Sequence, residues 1–414
     1  MTRPPLNTRH RLNDVRYEIR GELARRAREL ESEGHELIKL NIGNPGAFGF
    51  RAPEHLAAAI ADGLARSDAY AHQQGLPEAR EAVATMWRGR GLGDADAADV
   101  FIGNGVSELI DLSLRALLDP GDEVLLPSPD YPLWTAATIL NDGVPVHYPC
   151  RDEDGFLPDP EAVRALVGPR TRALVVINPN NPTGASYPPA LLKALVDIAR
   201  EHDLLLMADE IYDGIVYDDT GFQPLAPLAG EVPCLSLGGL SKVHRACGWR
   251  VGWGLLGGDR ARTAGYRHAL DLLGALRLCA NVPGQFAVAP ALSGPDTITP
   301  LCRPGGRLHA SRQAVVDACA ASPHLELVTP QAAMYAFPRV VGPAAEGFDD
   351  HRFALELLES GHVLVVPGSS FNLGRRDHFR VTLLPEAGDI AEVFRRIDRI
   401  LDRYAQAGAA RHVA

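Results

Sequence analysis

Lys242 stands out because lysine is scarce in this chain: Lys39, Lys193 and Lys242 are the only lysines among 41 Lys and Arg residues. The surrounding segment, LGGLSKVHRACGWRVGW, also carries Arg250 eight residues later. An arginine stays protonated and offers a planar fork of donors, whereas a desolvated lysine can lose its proton and act as a nucleophile. Lys242 is therefore a candidate for Schiff-base formation with an aldehyde, and Arg250 for holding a phosphate dianion.

The segment IGNGVSELI predicts a second anion-binding element. A strand runs into Gly103 and Gly105, and a helix starts near Ser107. Backbone N–H groups and the positive end of that helix would then point at the same anion. Many strand-to-helix turns contain glycine, so the loop taken alone is more typical of an ordinary turn than of a phosphate site.

Three further polar side chains could act on a heteroaromatic ring. Asp209 in ADEIY follows an apolar strand, and a carboxylate there could keep a pyridine nitrogen protonated. Tyr212, and Asn181 in NPNNPTG, could donate to an oxygen on the same ring. Each has an ordinary alternative: Asp209 as a helix N-cap, Tyr212 as a core aromatic, and the asparagine segment as a turn set by its prolines.

The elements that must position these residues form an alternating pattern. Short apolar runs that mostly end in Gly, Pro or Asn alternate with helical stretches such as 107–118 and 189–202. This pattern predicts an α/β fold with a mainly parallel sheet covered by helices on both faces. Ligands bind at the carboxyl ends of the strands in such sheets, and the residues singled out above fall at those ends.

The composition excludes several function classes. The chain has 414 residues, 46% of them hydrophobic, and a formal net charge of −11 without a basic face, which argues against nucleic acid as a partner. Six widely spaced cysteines without a C-x-x-C pair predict neither a disulfide framework nor a metal site. The N-terminal residues do not read as a secretory signal, and no run is long enough to cross a membrane. We expect a cytoplasmic protein.

The joint pattern resembles a known family. NPNNPTG, ADEIYD, GLSK followed by GWRVGW, and HFRVT are similar, in this order, to the signature segments of pyridoxal-phosphate-dependent aminotransferases of fold type I, classes I and II. LNIGNP, GNGVSELI, DYPLWTAA, RLCANVP and PGGRL point within it to the bacterial alanine (glutamate-pyruvate) aminotransferases. The resemblance implies a seven-stranded sheet and a smaller α+β domain. The expected boundaries are 1–48 for an N-terminal arm with part of the small domain, 49–300 for the large cofactor-binding domain, and 301–414 for the C-terminal small domain.

The resemblance assigns cofactor roles to individual residues. Lys242 would be the Schiff-base lysine, Asp209 the partner of the pyridine nitrogen, and Tyr212 and Asn181 the partners of the ring oxygen. Tyr131 would stack on the ring. The phosphate would be bound by Val106 and Ser107 at the helix start, by Ser241 next to the lysine and by Arg250. Tyr70 would reach the phosphate in the neighbouring subunit of a homodimer. Many relatives have a phosphate-binding serine where this chain has Gly239, and Ser241 is the candidate replacement.

The same resemblance implies how the substrate is held. Arg380 in DHFRVT would grip the α-carboxylate with its planar fork, helped by the backbone of Gly43 and by Asn181. Tyr17 and Arg20 lie where the N-terminal arm crosses the mouth of the site in this subfamily. The implied activity is ping-pong transfer of an amino group between an L-amino acid, with alanine expected, and a 2-oxo acid, with 2-oxoglutarate expected. Another small or branched donor in a dedicated biosynthetic pathway, or a lyase on the same scaffold, remains open.

Overall fold

The structure is a computed structural model that describes residues 8–15 and 21–413, with side chains described up to residue 408. Fifteen α-helices are present in these residues. Their bounds are α1 Glu22–Ser32, α2 Glu54–Gly63, α3 Pro77–Gly89, α4 Val106–Leu117, α5 Pro132–Leu140, α6 Pro160–Ala165, α7 Pro189–Glu201, α8 Ala226–Ala229, α9 Arg260–Leu276, α10 Val282–Gln285, α11 Val288–Ser293, α12 Thr299–Cys302, α13 Arg307–Ala321, α14 Asp350–Gly361 and α15 Ala387–Val413. None of these described helices has the length and apolar character needed to cross a membrane.

The strands fall into one large sheet and several short pairings. Their bounds are β1 Ile38–Lys39, β2 Val100–Gly103, β3 Glu123–Ser128, β4 Val144–Pro149, β5 Thr171–Ile177, β6 Leu205–Asp209, β7 Cys234–Gly239, β8 Gly252–Gly257, β9 Leu325–Glu326, β10 Tyr335–Ala336, β11 Arg339–Val340, β12 Val363–Leu364, β13 Val366–Pro367 and β14 Phe379–Thr382.

Seven strands form the large sheet in the order β2-β8-β7-β6-β5-β3-β4. The pairs from β7 through β6, β5 and β3 to β4 are parallel, while β8 is antiparallel to both of its neighbours, β2 and β7. Six strands therefore run in one direction and β8 runs in the other. The mainly parallel seven-stranded sheet expected from the sequence is confirmed.

Successive side chains of these strands enter opposite layers, as the pleat of a strand requires. In β5, Leu174 and Val176 join the core formed with α3, α7 and α11, while Val175 and Ile177 join the core formed with α4, α5 and α9. Because both faces of β5 are buried over residues 173–177, that stretch is apolar without interruption. The sheet is thus sandwiched between two helical layers.

A second core lies outside this sandwich. It combines residues from near the N-terminus, such as Leu23 of α1 and Leu40 after β1, with residues of α13, α14, α15 and β14. Short pairings support it: β1 lies parallel to β12, and β14 lies between β10 and β13 in an antiparallel sheet. This is the smaller α+β part, and the exact domain boundaries remain a prediction.

Candidate active site

One cavity of about 660 Å³ opens where the carboxyl ends of the co-directional strands face the smaller part of the chain. Its volume falls within the range of small-molecule sites. The side chains and backbone that line it come from the strand ends, the start of α4, the segment before α5 and β14. The lining residues are Ile42, Gly43, Asn44, Val106, Ser107, Ile110, Tyr131, Leu133, Ile177, Asn181, Asp209, Ile211, Tyr212, Ser241, Lys242, Cys247, Gly248, Arg250, Tyr335 and Arg380.

The start of α4 and Arg250 form one end of the cavity. Gly105, which precedes the helix, has φ 84° and ψ 165°, a conformation essentially restricted to glycine. A Cβ atom at this position would lie 2.2 Å from Nη2 of Arg250. The guanidinium donates to the carbonyl oxygens of Cys247 at 2.9 Å and Asn104 at 3.2 Å. A helix N-terminus and a fixed guanidinium therefore meet here, which is the donor set of a phosphate site.

Lys242 follows β7 and lines the cavity. Its Nζ donates to the carbonyl oxygen of Gly43 at 2.6 Å, across a sequence separation of 199 residues. The side chain is half-buried, and its ammonium lies 6.0 Å from the ring centroid of Tyr212. A backbone acceptor from the N-terminal part of the chain thus holds the amine within the lining of the cavity.

Asp209 ends β6 and is 3% exposed. Nε1 of Trp134 donates to its Oδ2 at 3.0 Å, and the backbone N–H of Ile211 donates to Oδ1 at 3.4 Å. Burial raises the pKa of Asp209, while the Trp134 and Ile211 hydrogen bonds and the charge of Lys242 act in the opposite direction. A buried carboxylate of this kind gains from a positively charged donor in the cavity.

A pair of tyrosine hydroxyls also belongs to the cavity. The hydroxyls of Tyr212 and Tyr335 are 2.9 Å apart and their rings meet edge to face. Burial and the neighbouring Tyr335 raise the pKa of Tyr212 well above its ordinary value. Tyr212 therefore remains a neutral hydroxyl that can donate a hydrogen bond into the cavity.

Arg380 lies in β14 and is 2% exposed. Its Nη1 donates to Oδ1 of Asn181 at 2.9 Å and its Nη2 donates to the carbonyl oxygen of Asn41. The guanidinium carbon lies 4.3 Å from the ring centroid of Tyr335 and 4.7 Å from that of Phe371. These contacts hold the planar fork in one orientation, and a fixed fork suits a carboxylate.

The charges that line the cavity are unequal. Lys242, Arg250 and Arg380 contribute three cationic groups, and Asp209 is the only acidic side chain among the described lining residues. The cavity therefore favours anionic ligands, and its one carboxylate can pair with a cationic group on the ligand.

The structure brings the residues expected from the sequence into this one cavity, apart from three. Tyr70 is 79% exposed and does not line it, so its expected role in a neighbouring subunit stays a prediction. Tyr17 and Arg20 lie outside the described residues. Ser241 lines the cavity, whereas Gly239 packs so tightly that a Cβ atom would lie 2.8 Å from the carbonyl oxygen of Val251. A serine cannot be placed at position 239 without moving that backbone.

Two residues that contact the predicted set were missed from the sequence. Trp134 and Tyr335 belong to apolar stretches, DYPLWTAA and AAMYAFP, where a large aromatic residue usually indicates core packing. Both are indeed fully buried, but each directs a polar atom at a site residue. The only sequence signal is that buried tryptophan and tyrosine usually have a hydrogen-bond partner.

Comparison with known proteins shows the family. The model of the family described as aminotransferase class I and II matches residues 35–397. The chain belongs to the class I and II aminotransferases. It is 42% identical over 402 residues to the glutamate-pyruvate aminotransferase AlaA of Escherichia coli K12, covering 97% of this chain and 99% of that relative. It is 45% identical over 397 residues to an alanine aminotransferase of Mycobacterium tuberculosis, covering 96% and 92% respectively.

Solved aminotransferase structures agree with the architecture. A crystal structure of an aminotransferase from Escherichia coli matches with a TM-score of 0.95 at 42% identity, covering 96% of this chain and 99% of that one. An alanine aminotransferase from Pyrococcus furiosus matches with a TM-score of 0.90 at 36% identity, covering 96% and 100%. This chain is therefore an enzyme that transfers amino groups, and it has the fold type I architecture expected from its sequence.

Proposed function

We propose that this aminotransferase uses pyridoxal 5′-phosphate to exchange an amino group between L-alanine and 2-oxoglutarate, yielding pyruvate and L-glutamate by a ping-pong mechanism. The observation that carries the proposal is the convergence of Lys242, Asp209, Arg380 and the Arg250 end of α4 on one cavity. The printed names of two relatives, glutamate-pyruvate aminotransferase and alanine aminotransferase, support the choice of substrates.

The residues present fit the cofactor. Its phosphate matches the N-terminus of α4, with Val106 and Ser107, and the guanidinium of Arg250, for which Gly105 leaves the space. Asp209 would accept a hydrogen bond from the protonated ring nitrogen. Tyr131 would stack on the ring, and Tyr212 and Asn181 would donate to the ring oxygen. Ser241 would make a further contact with the phosphate. When bound, the cofactor supplies a ring that takes up the electrons released at the α-carbon of the amino acid.

The protein's own groups select and carry out the proton transfer. Arg380, with the backbone of Gly43 and the amide of Asn181, holds the α-carboxylate and so fixes the direction of the Cα–H bond. Nζ of Lys242 would take the proton from Cα and deliver it to the cofactor carbon bonded to the amino nitrogen, acting first as base and then as acid. An ionised Asp209 would keep the ring nitrogen of the cofactor protonated. The second half-reaction would repeat these roles in reverse order. Because the first product leaves before the second substrate binds, the kinetics would be ping-pong.

We also propose a homodimer in which Tyr70 contributes to the neighbouring site. Tyr70 belongs to the loop before α3, and Gln73 of the same loop contacts α9. Nε2 of Gln73 donates to Oδ1 of Asp271 in that helix at 3.0 Å. Exposed apolar side chains lie on and after the same helix, at Leu272, Leu276 and Leu278. Burying such a patch between two copies is favourable. The six free cysteines accord with the cytoplasmic location expected from the sequence, which we keep as part of the proposal.

The experiment compares two lysine variants with the wild type. Purified protein receives pyridoxal phosphate, L-alanine and 2-oxoglutarate, and pyruvate and glutamate are measured. Lys242→Ala should abolish both products and the covalent attachment of the cofactor after borohydride reduction. Lys193→Ala, which removes an exposed lysine on α7, should match the wild type. Normal turnover by Lys242→Ala would refute the mechanism, and a wild type that prefers another donor in a panel of amino acids would refute alanine.

A further inference from the structure

Trp134 makes the shorter of the two hydrogen bonds described above for the carboxylate of Asp209. Its Nε1–H lies 3.0 Å from Oδ2, compared with 3.4 Å from the Ile211 N–H to Oδ1. Trp134 is 0% exposed and Asp209 is 3% exposed, so water does not compete for the contact. A charge-assisted hydrogen bond in such surroundings is strong and directional.

The helix that carries Trp134 also carries a residue of the cavity. Tyr131 immediately precedes α5 and lines the cavity, while Trp134 lies three residues further on, in the first turn of the helix. Trp134 itself does not line the cavity. The segment 131–134 at the start of α5 therefore places one aromatic ring in the lining of the cavity and directs the indole N–H of a second at the carboxylate that ends β6.

The choice of donor has a chemical consequence. An indole N–H donates only and does not titrate, so it favours the ionised form of its acceptor at every working pH. Burial alone does not demand such a partner in this chain, because Trp87 is 2% exposed and its Nε1 has no hydrogen-bond partner. The donor of Trp134 is thus directed at Asp209 specifically.

We propose that Trp134 is a positioning residue that fixes the orientation of Asp209 and keeps its carboxylate ionised, and that it thereby strengthens binding of the protonated ring nitrogen of the cofactor. The part that concerns the cofactor rests on the proposed function. The contact between Trp134 and Asp209 does not, and the two parts are tested separately.

The first test observes the contact in the full chain without added cofactor. Four tryptophans give four ¹⁵N-labelled indole signals, and the signal lost in Trp134→Phe identifies Trp134. This proton should resonate downfield because its acceptor is charged, and it should move upfield in Asp209→Asn, where the acceptor is neutral. An unchanged position in Asp209→Asn overturns the proposal. If Trp134→Phe does not fold, the signal is assigned by elimination with single phenylalanine variants of the other three tryptophans, Trp87, Trp249 and Trp253.

The second test measures cofactor binding. Trp134→Phe should weaken the affinity for pyridoxal phosphate about 10- to 100-fold, as expected for loss of one hydrogen bond to a charged group. The pH at which acid releases half of the cofactor should also rise, because the carboxylate protonates more easily. Trp87→Phe makes the same change at a buried tryptophan without an indole partner and should shift neither quantity. Equal effects of both variants, or no effect of Trp134→Phe, overturn the proposal.

The two tests separate the possible failures. If the wild type binds no pyridoxal phosphate, the proposed function fails, and the indole signal in Asp209→Asn still decides whether Trp134 donates to an ionised carboxylate. If the wild type binds the cofactor and only the Trp134 variant behaves like the control, the positioning role fails and the proposed function stands.

Discussion

Replacing Arg380 by lysine separates the geometry of the proposed carboxylate grip from its charge. The guanidinium is held by Asn181 and the carbonyl of Asn41 and lies over the rings of Tyr335 and Phe371. A lysine in the same place keeps one positive charge but presents a single nitrogen, so it cannot make two parallel hydrogen bonds to a carboxylate.

The expected magnitude follows from the loss of one charge-assisted hydrogen bond. Such a bond contributes about 1.5–3 kcal/mol, and about 1.4 kcal/mol corresponds to a factor of ten. Arg380→Lys should therefore lower kcat/KM for L-alanine by about 10- to 150-fold. Most of the effect should appear as a higher KM, because the α-carboxylate is held both before and during the reaction. Initial rates of pyruvate formation over a range of alanine concentrations give both constants.

Arg312→Lys is the matched control. Arg312 is 5% exposed, donates through Nε to the carbonyl of Pro330 at 2.6 Å and lies over the ring of Tyr217, but it does not line the cavity. The control variant should keep the wild-type KM. An unchanged KM in a folded Arg380→Lys protein, or an equal rise in both variants, would show that the guanidinium fork of Arg380 does not hold the substrate.

Three further outcomes are expected. Gly105→Ala should weaken pyridoxal phosphate binding about tenfold in a fluorescence titration, because the backbone conformation of Gly105 costs other residues about 1–3 kcal/mol and the added Cβ would meet the guanidinium of Arg250. The control Gly155→Ala, at a glycine with φ 66° and open space around it, should bind the cofactor normally. Equal affinities of the two variants would contradict the proposed phosphate site. Pyridoxal phosphate should slow the reaction of a thiol reagent with Cys247, which lines the cavity, but not with the half-buried Cys279, as followed by peptide mass spectrometry. If Cys247 reacts at the same rate with and without the cofactor, the cofactor binds elsewhere. Burial raises the pKa of Glu210 from its ordinary 4.5 to about 8, so the stability that its neutral form contributes is fully present below about pH 4.5 and is lost as the pH rises through about 8. The melting temperature of Glu210→Gln should therefore fall less with rising pH than that of the wild type, and parallel curves of melting temperature against pH would refute this account.

Much of the fold and of the site could be predicted from local sequence. Uninterrupted apolar runs such as 173–177 specify strands buried on both faces, and the change from such a run to Gly103 and Gly105 marks a strand end beside a helix start. Lys242 was identifiable because an amine was kept in a chain that otherwise uses arginine. These features depend on neighbouring residues along the chain, so they can be recognised without the tertiary structure.

Only the tertiary structure decided which distant groups meet. Trp134 and Asp209 are 75 residues apart and Tyr212 and Tyr335 are 123 residues apart, and each aromatic residue alone is indistinguishable from core packing. Likewise, only the packed chain shows that the carbonyl oxygen of Val251 leaves no room for a Cβ atom at Gly239. The sequence by itself determined the elements and the chemically competent residues. The orientation of those residues, and hence the partners of each charge, required the packed chain, because hydrogen bonds and close contacts depend on distances that spacing along the chain does not specify.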